Sequence, residues 1–134
     1  FLGGPEDLDR VVAARDFLSL HLHLNEQTRH TIDQRCLNLM KSTACLINVA
    51  RGALADEEAL YEALLEGRIG GAGLDVFERE PPDPTLPVYQ RPNVVVTPHT
   101  GGVTDGTSRK RAACTVENID RIAQNLEPLY RIDL

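Results

Sequence analysis

No apolar stretch in this chain approaches the roughly 20 residues needed to span a bilayer, so nothing in it reads as a transmembrane helix. A basic excess is missing too. There are 14 Lys and Arg against 20 Asp and Glu, and the net charge of −6 argues against nucleic acid as the main partner, because phosphate binding needs a basic face. The cysteines Cys36, Cys45 and Cys114 are odd in number and lack CxxC spacing, which points to reduced thiols in a cytoplasmic protein rather than a disulfide framework. The opening residues FLGGPEDLDR have neither the basic start nor the apolar core of a signal peptide. Internal repeats and low-complexity tracts are absent. So is an initiator methionine: the sequence starts at Phe1 and is expected to be processed or a fragment.

What is present fits one globular domain. A chain of 134 residues, 42% apolar and 25% charged, can bury roughly two-thirds of its unfolded surface. The segment 5–14 predicts a helix with Leu8, Val11 and Val12 on one face and Pro5 in its first turn. Residues 16–24 alternate as a strand, 31–40 form a short helix, and 43–50 form a buried strand that is apolar on both faces. Asp56 is placed to cap a helix that carries Glu57 and Glu58 at its positive end, buries Leu60 and Leu64, and stops at Gly67. Strands are expected at 70–77 and 93–98. A last helix, 105–126, would turn Ala112, Val116, Ile119 and Ile122 inward. From residue 16 onward the order is β-α-β-α-β-β-α, which favours an α/β fold with a mainly parallel sheet flanked by helices. Loop 78–92, with Pro81, Pro82, Pro84, Pro87 and Pro92, reads as a stiff surface loop.

Three polar residues stand where such a sheet would end its strands. Arg51 follows the apolar run CLINVA, Glu80 opens the proline-rich stretch, and His99 follows NVVVTP. Open α/β sheets bind ligands outside the carboxyl ends of their strands. A planar guanidinium there can grip a carboxylate or a 2-oxo acid with two hydrogen bonds, and Gly52 behind it would let the backbone turn sharply. An imidazole can exchange a proton near neutral pH, and a carboxylate beside it would fix its tautomer. Each residue also has a plainer reading: a surface Arg closing a strand, a solvated loop acid, a satisfied turn histidine.

Two other patterns carry less. His21 and His23 lie two apart on the expected strand and would share a face, but no further ligand spacing supports a metal, so no metal is assigned. GAGLDV (71–76) imitates a dinucleotide fingerprint, yet Val76 replaces the third glycine and a proline-rich loop follows instead of a helix. Its glycines are read as packing positions.

The segments SLHLHLNEQTRHTID, NLMKSTACLINVARGALADEEALYEAL, GRIGGAGLDVFEREPP and PNVVVTPHTGGVT, in that order, resemble the NAD-dependent D-2-hydroxyacid dehydrogenases, a family that includes phosphoglycerate dehydrogenase and glyoxylate/hydroxypyruvate reductases. The resemblance covers nearly the whole chain. It implies a Rossmann-like, partial dinucleotide-binding domain that moves hydride between nicotinamide and a D-2-hydroxy or 2-oxo acid. In the family pattern Arg51 matches the arginine that binds the substrate carboxylate and keto oxygen. Glu80 matches the acid that orients the catalytic histidine, and His99 matches that histidine. Asp75 matches the contact to the nicotinamide carboxamide. Val49, Ala50, Gly101 and Gly102 match positions lining the cofactor, as do Leu22 and His23, where His23 departs from the usual proline. The triad separations, 29 and 19 residues, are family-like.

The dinucleotide fingerprint, the ribose-reading acid and most of the substrate domain would precede this segment. Residues 1–134 are therefore expected to be the C-terminal part of the NAD-binding domain, with a tail returning toward the substrate domain and no useful activity alone. NAD is the implied cofactor, with NADP left open. The intact protein is expected to be a homodimer without nucleic-acid or membrane partners. Transcriptional co-repressors of the same fold keep the triad, so an NAD(H)-sensing interaction protein is the alternative, and an inactive remnant a third.

Overall fold

Parallel pairing sets the frame of the computed structural model, which describes residues 5–132. The chain divides into two units, Phe1–His99 and Thr100–Leu134. In the first, β1 (Phe17–Leu20), β2 (Cys45–Asn48), β3 (Gly71–Leu74) and β4 (Val94–Val96) lie side by side in sequence order, every neighbour parallel. Helix α1 (Leu8–Ala14) precedes β1, and α2 (Gln34–Leu39) and α3 (Glu57–Leu65) occupy the first two crossovers. The expected order from residue 16 is the observed one.

Local chemistry explains the helix starts. Asp33 caps α2 by accepting the Cys36 N–H at 2.8 Å, and Asp56 caps α3 by accepting the Ala59 N–H at 3.1 Å. Leu60 and Leu64 are buried as their spacing predicts, and Gly67 takes φ +72 just beyond the end of α3. Register then sorts the strands into two faces. Leu46, Asn48, Ala72, Leu74 and Val94 point into one core with Val12, Leu37, Leu60 and Leu64. Each large apolar side chain fully buried there contributes about 1.5–3 kcal/mol.

Several boundaries differ from expectation. The strand predicted over 16–24 stops at Leu20, because its partner β2 stops at Asn48 and the ladder has nothing to pair with beyond. His21 and His23 therefore lie in a loop and share no strand face. Residues 43–50 are not buried on both faces. Burial alternates along β2, and Phe17 and Val95 on the far face of the sheet are 70% and 66% exposed. The strand expected over 70–77 ends at Leu74, and the proline-rich loop is not all surface: a 3-10 turn at Pro87–Gln90 buries Val88.

The second unit holds α4 (Asp105–Ala123), shorter than the expected 105–126. Thr104 and Thr107 form a reciprocal capping box at its start. The expected inward stripe is not inward. No residue of α4 is buried, and Val116, Ile119 and Ile122 are 59–62% exposed. The tail returns along the helix through polar groups instead: Asn118 donates to the Leu129 carbonyl and accepts the Leu129 N–H, while Arg121 donates to the Glu127 carbonyl.

Candidate active site

At the carboxyl edge of the sheet, β2 leads straight into the turn that carries Arg51. Asn48 organises that turn. Only 2% exposed, it donates from Nδ2 to the Arg51 carbonyl at 2.9 Å and accepts the Ala50 N–H on Oδ1 at 3.2 Å. The Arg51 guanidinium donates to the Ala50 carbonyl at 2.6 Å and is exposed. A 3-10 turn begins at Gly52, and the missing side chain also supplies space. A Cβ on it would fall 1.9 Å from the Phe77 carbonyl carbon and 2.2 Å from the Glu78 nitrogen, inside backbone that cannot yield cheaply. Gly52→Ala is expected to lower unfolding free energy by about 1–3 kcal/mol. Gly106→Ala, where the added methyl meets only the Thr104 hydroxyl at 3.9 Å, should leave it unchanged or slightly raised; urea unfolding compares them.

The third and fourth strands bring the other two groups. Past β3 the chain folds so that the Phe77 N–H donates to Glu80 Oε1 at 3.0 Å. The second oxygen of Glu80 accepts from His99 Nδ1 at 2.8 Å, across 19 residues of sequence. His99 has φ +54, a left-handed conformation that costs a residue with a Cβ about 1 kcal/mol, and its N–H donates to the Thr97 carbonyl at 3.0 Å. Glu80 is held below the usual carboxylate range, first by the His99 hydrogen bond and then by the Phe77 N–H; burial opposes the shift, and the charges of His99 and Arg51 add lesser contributions to it. Arg51 is thus within electrostatic reach of the pair. Glu80 and His99 meet directly, and the Arg51 charge acts on Glu80.

Asp75 sits just past β3, 5% exposed, accepting the Thr97 hydroxyl at 2.5 Å and donating its N–H to the Asn48 carbonyl at 3.0 Å. Leu22, His23, Val49, Ala50 and Arg51 join His21 and Leu24 around a groove of about 470 Å³ beyond β1 and β2. A hollow of about 370 Å³ lies beside Glu80 and His99, walled by Phe77, Pro81, Pro82 and Pro98. Gly101 and Gly102 belong to the second unit, where the Gly102 carbonyl accepts the Thr107 hydroxyl. The His21 ring pairs with the Ser19 hydroxyl at 2.8 Å, and among the described residues no His, Cys, Asp and Glu gather as metal ligands. GAGL is a strand, as its rejection as a fingerprint requires. Reading for reactive groups passes over Asn48 and Thr97, the residues that hold the edge together. An amide as the last residue of an apolar run, in CLIN, is the signal for the first.

An open parallel sheet with helices in its crossovers, and polar groups at its carboxyl edge, is a nucleotide-binding type of α/β domain. Residues 3–101 match the family described as D-isomer specific 2-hydroxyacid dehydrogenase, NAD binding domain, and the chain belongs to that family. It is 49% identical over 113 residues to glyoxylate/hydroxypyruvate reductase B of Pectobacterium carotovorum subsp. carotovorum (strain PC1), a match covering 84% of this chain and 35% of that protein. Its fold superposes on D-lactate dehydrogenase with NAD+ from Lactobacillus jensenii with a TM-score of 0.83 at 30% identity, covering 99% of this chain and 46% of that one. It also superposes on a D-isomer specific 2-hydroxyacid dehydrogenase from Xanthobacter autotrophicus Py2 in complex with NADPH and MES, with a TM-score of 0.77 at 38% identity, covering 96% and 52%. The chain spans about a third of the length of the curated relatives it matches.

Proposed function

We propose that residues 1–134 are the C-terminal part of the NAD-binding domain of a D-2-hydroxyacid dehydrogenase, a cytoplasmic homodimer that acts on a small 2-hydroxy or 2-oxo acid. Bound NAD supplies the hydride acceptor or donor; the chain supplies grip, orientation and a proton. Arg51 holds the substrate carboxylate and keto oxygen. His99 gives or takes the substrate proton through Nε2, while Glu80 holds the ring by Nδ1 and fixes its tautomer. That 2.8 Å contact, between residues from two different loops, is the observation that carries the reading.

The residues present fit the nicotinamide side of such a cofactor. The groove bounded by Leu22, His23, Val49 and Ala50 opens beside Arg51, and Asp75 provides a buried acceptor for a carboxamide N–H. Gly101 and Gly102 are assigned to the cofactor from the sequence pattern. The exposed stripe Val116, Ile119 and Ile122, with the tail pinned along α4, supports a tail that returns toward the substrate domain. The reductase relative is named for glyoxylate and hydroxypyruvate, which makes small 2-oxo acids the first substrates to try.

Glu80→Gln in the intact protein tests the assignment of the pair. Because the folded carboxyl is depressed below its ordinary value of 4.5, its stabilising contribution is complete above that value and is lost as pH falls through the lower folded one. The variant should therefore melt lower than the parent at pH 7, and the difference should shrink as pH falls below 4.5. It should also reduce 2-oxo acid at least about tenfold more slowly at pH 7, with NADH affinity kept. A variant with parental turnover would remove Glu80 from the mechanism.

A further inference from the structure

The groove and the proton-handling pair are built by different loops: the loop after β1 and the Arg51 turn make the groove, and the segments after β3 and β4 make the pair. One side chain spans them. Glu78 accepts from the Arg29 guanidinium on the loop after β1, and His30 Nε2 lies 3.4 Å from the same oxygen. Its own N–H donates at 2.9 Å to Glu57 Oε2 in the first turn of α3.

These contacts close a ring. The His30 N–H donates to the Ala53 carbonyl at 2.8 Å and the Ile32 N–H to the Leu54 carbonyl at 3.0 Å, so the loop after β1 is stitched to the turn that follows Arg51. That turn meets Phe77 and Glu78 across the space only Gly52 leaves open. From Arg29 the path runs back to the groove: the Thr28 hydroxyl donates to the His23 carbonyl at 2.7 Å and Asn25 accepts the Thr28 N–H at 3.0 Å. Forward from Glu78 it reaches Glu80 in two residues.

We propose that Glu78, through Arg29, is a positioning residue that fixes the spacing between the cofactor groove and the Glu80–His99 pair. The role rests on the dehydrogenase reading given above. Its energetics favour a kinetic over a structural part, because the side chains of Glu78 and Arg29 are 29% and 52% exposed and partly exposed ion pairs stabilise folds little. Hydride transfer, by contrast, is sensitive to misplacement: an error of about 1 Å in reacting geometry can cost about 10²-fold in rate.

The test uses the intact dehydrogenase with NADH and a small 2-oxo acid, comparing Glu78→Gln, Arg29→Met, the double variant and the charge swap Arg29→Glu/Glu78→Arg. Each single variant should lower kcat about tenfold or more. The Kd for NADH, read from nicotinamide fluorescence, should stay within about twofold, and Tm should move little. The double variant should be no worse than either single one, and the swap should recover part of the loss. Single variants with parental kcat, losses that multiply in the double variant, or losses that only follow Tm overturn the proposal. Should Glu78→Gln fail to fold, Arg29→Met alone decides, since it cuts the same pair from the other side. A parent that binds NADH but reduces no 2-oxo acid sinks the underlying reading, whereas an active parent with indifferent variants sinks only the role of Glu78.

Discussion

His99→Gln in the intact enzyme is expected to lower kcat by about 10²–10⁴-fold, the usual contribution of a positioned general acid or base. Its Kd for NADH should hardly change. Gln can still place an N–H where Nδ1 now meets Glu80 Oε2, so the loop that carries His99 keeps an anchor. What the amide cannot do is change protonation state, and that is the only property the proposed step needs from the ring. The left-handed backbone at this position, φ +54, is strained for any side chain with a Cβ, so the exchange is neutral in that respect. Stopped-flow NADH oxidation at 340 nm separates binding from chemistry. A variant that keeps parental turnover removes His99 from the proton path, and one that loses NADH binding makes its role structural.

Arg51→Lys is expected to be the second most damaging change. The charge survives, but the fork that could take two carboxylate oxygens at once does not. Losing that geometry at a partly desolvated anion should weaken transition-state binding by roughly 3 kcal/mol, on the order of 10²-fold in kcat/KM. The loss should fall on KM for the 2-oxo acid more than on KM for NADH, since Arg51 only borders the cofactor groove. The fold should tolerate the change, because the turn around Arg51 is tied by main chain and by the Asn48 amide rather than by the guanidinium. Steady-state kinetics with both substrates varied would show it. A parental KM for the 2-oxo acid would place substrate recognition elsewhere.

The chain wrote its strand order legibly, and for a physical reason. Parallel strands beneath helices leave compact apolar runs, and the polar residue that ends each run lands on the same edge. Arg51 and His99 each follow such a run by a few residues, whereas Glu80 lies further on, in the loop after β3. Strand lengths are harder to read, because a strand lasts only as long as its neighbour: DFLSLHLHL alternates over its last seven residues, but pairing stops where β2 stops. The face of α4 was misread for a related reason. Periodicity marks Val116, Ile119 and Ile122 as a stripe without saying what covers it, and in the described structure they are exposed. The contact of Glu78 with Arg29 leaves no trace in local spacing, because 49 residues separate the two. At Gly52 the turn is legible, but the room it leaves against Phe77, 25 residues away, is not.

The central claim is that Arg51, Glu80 and His99 form one site where a 2-oxo acid is held and protonated beside the nicotinamide. It is tested most directly by following NADH oxidation by the intact protein with a panel of small 2-oxo acids and determining the configuration of the product. The account predicts turnover that yields the D-2-hydroxy acid and disappears in His99→Gln. NADH binding without reduction of any 2-oxo acid, or turnover that His99→Gln leaves untouched, would contradict it.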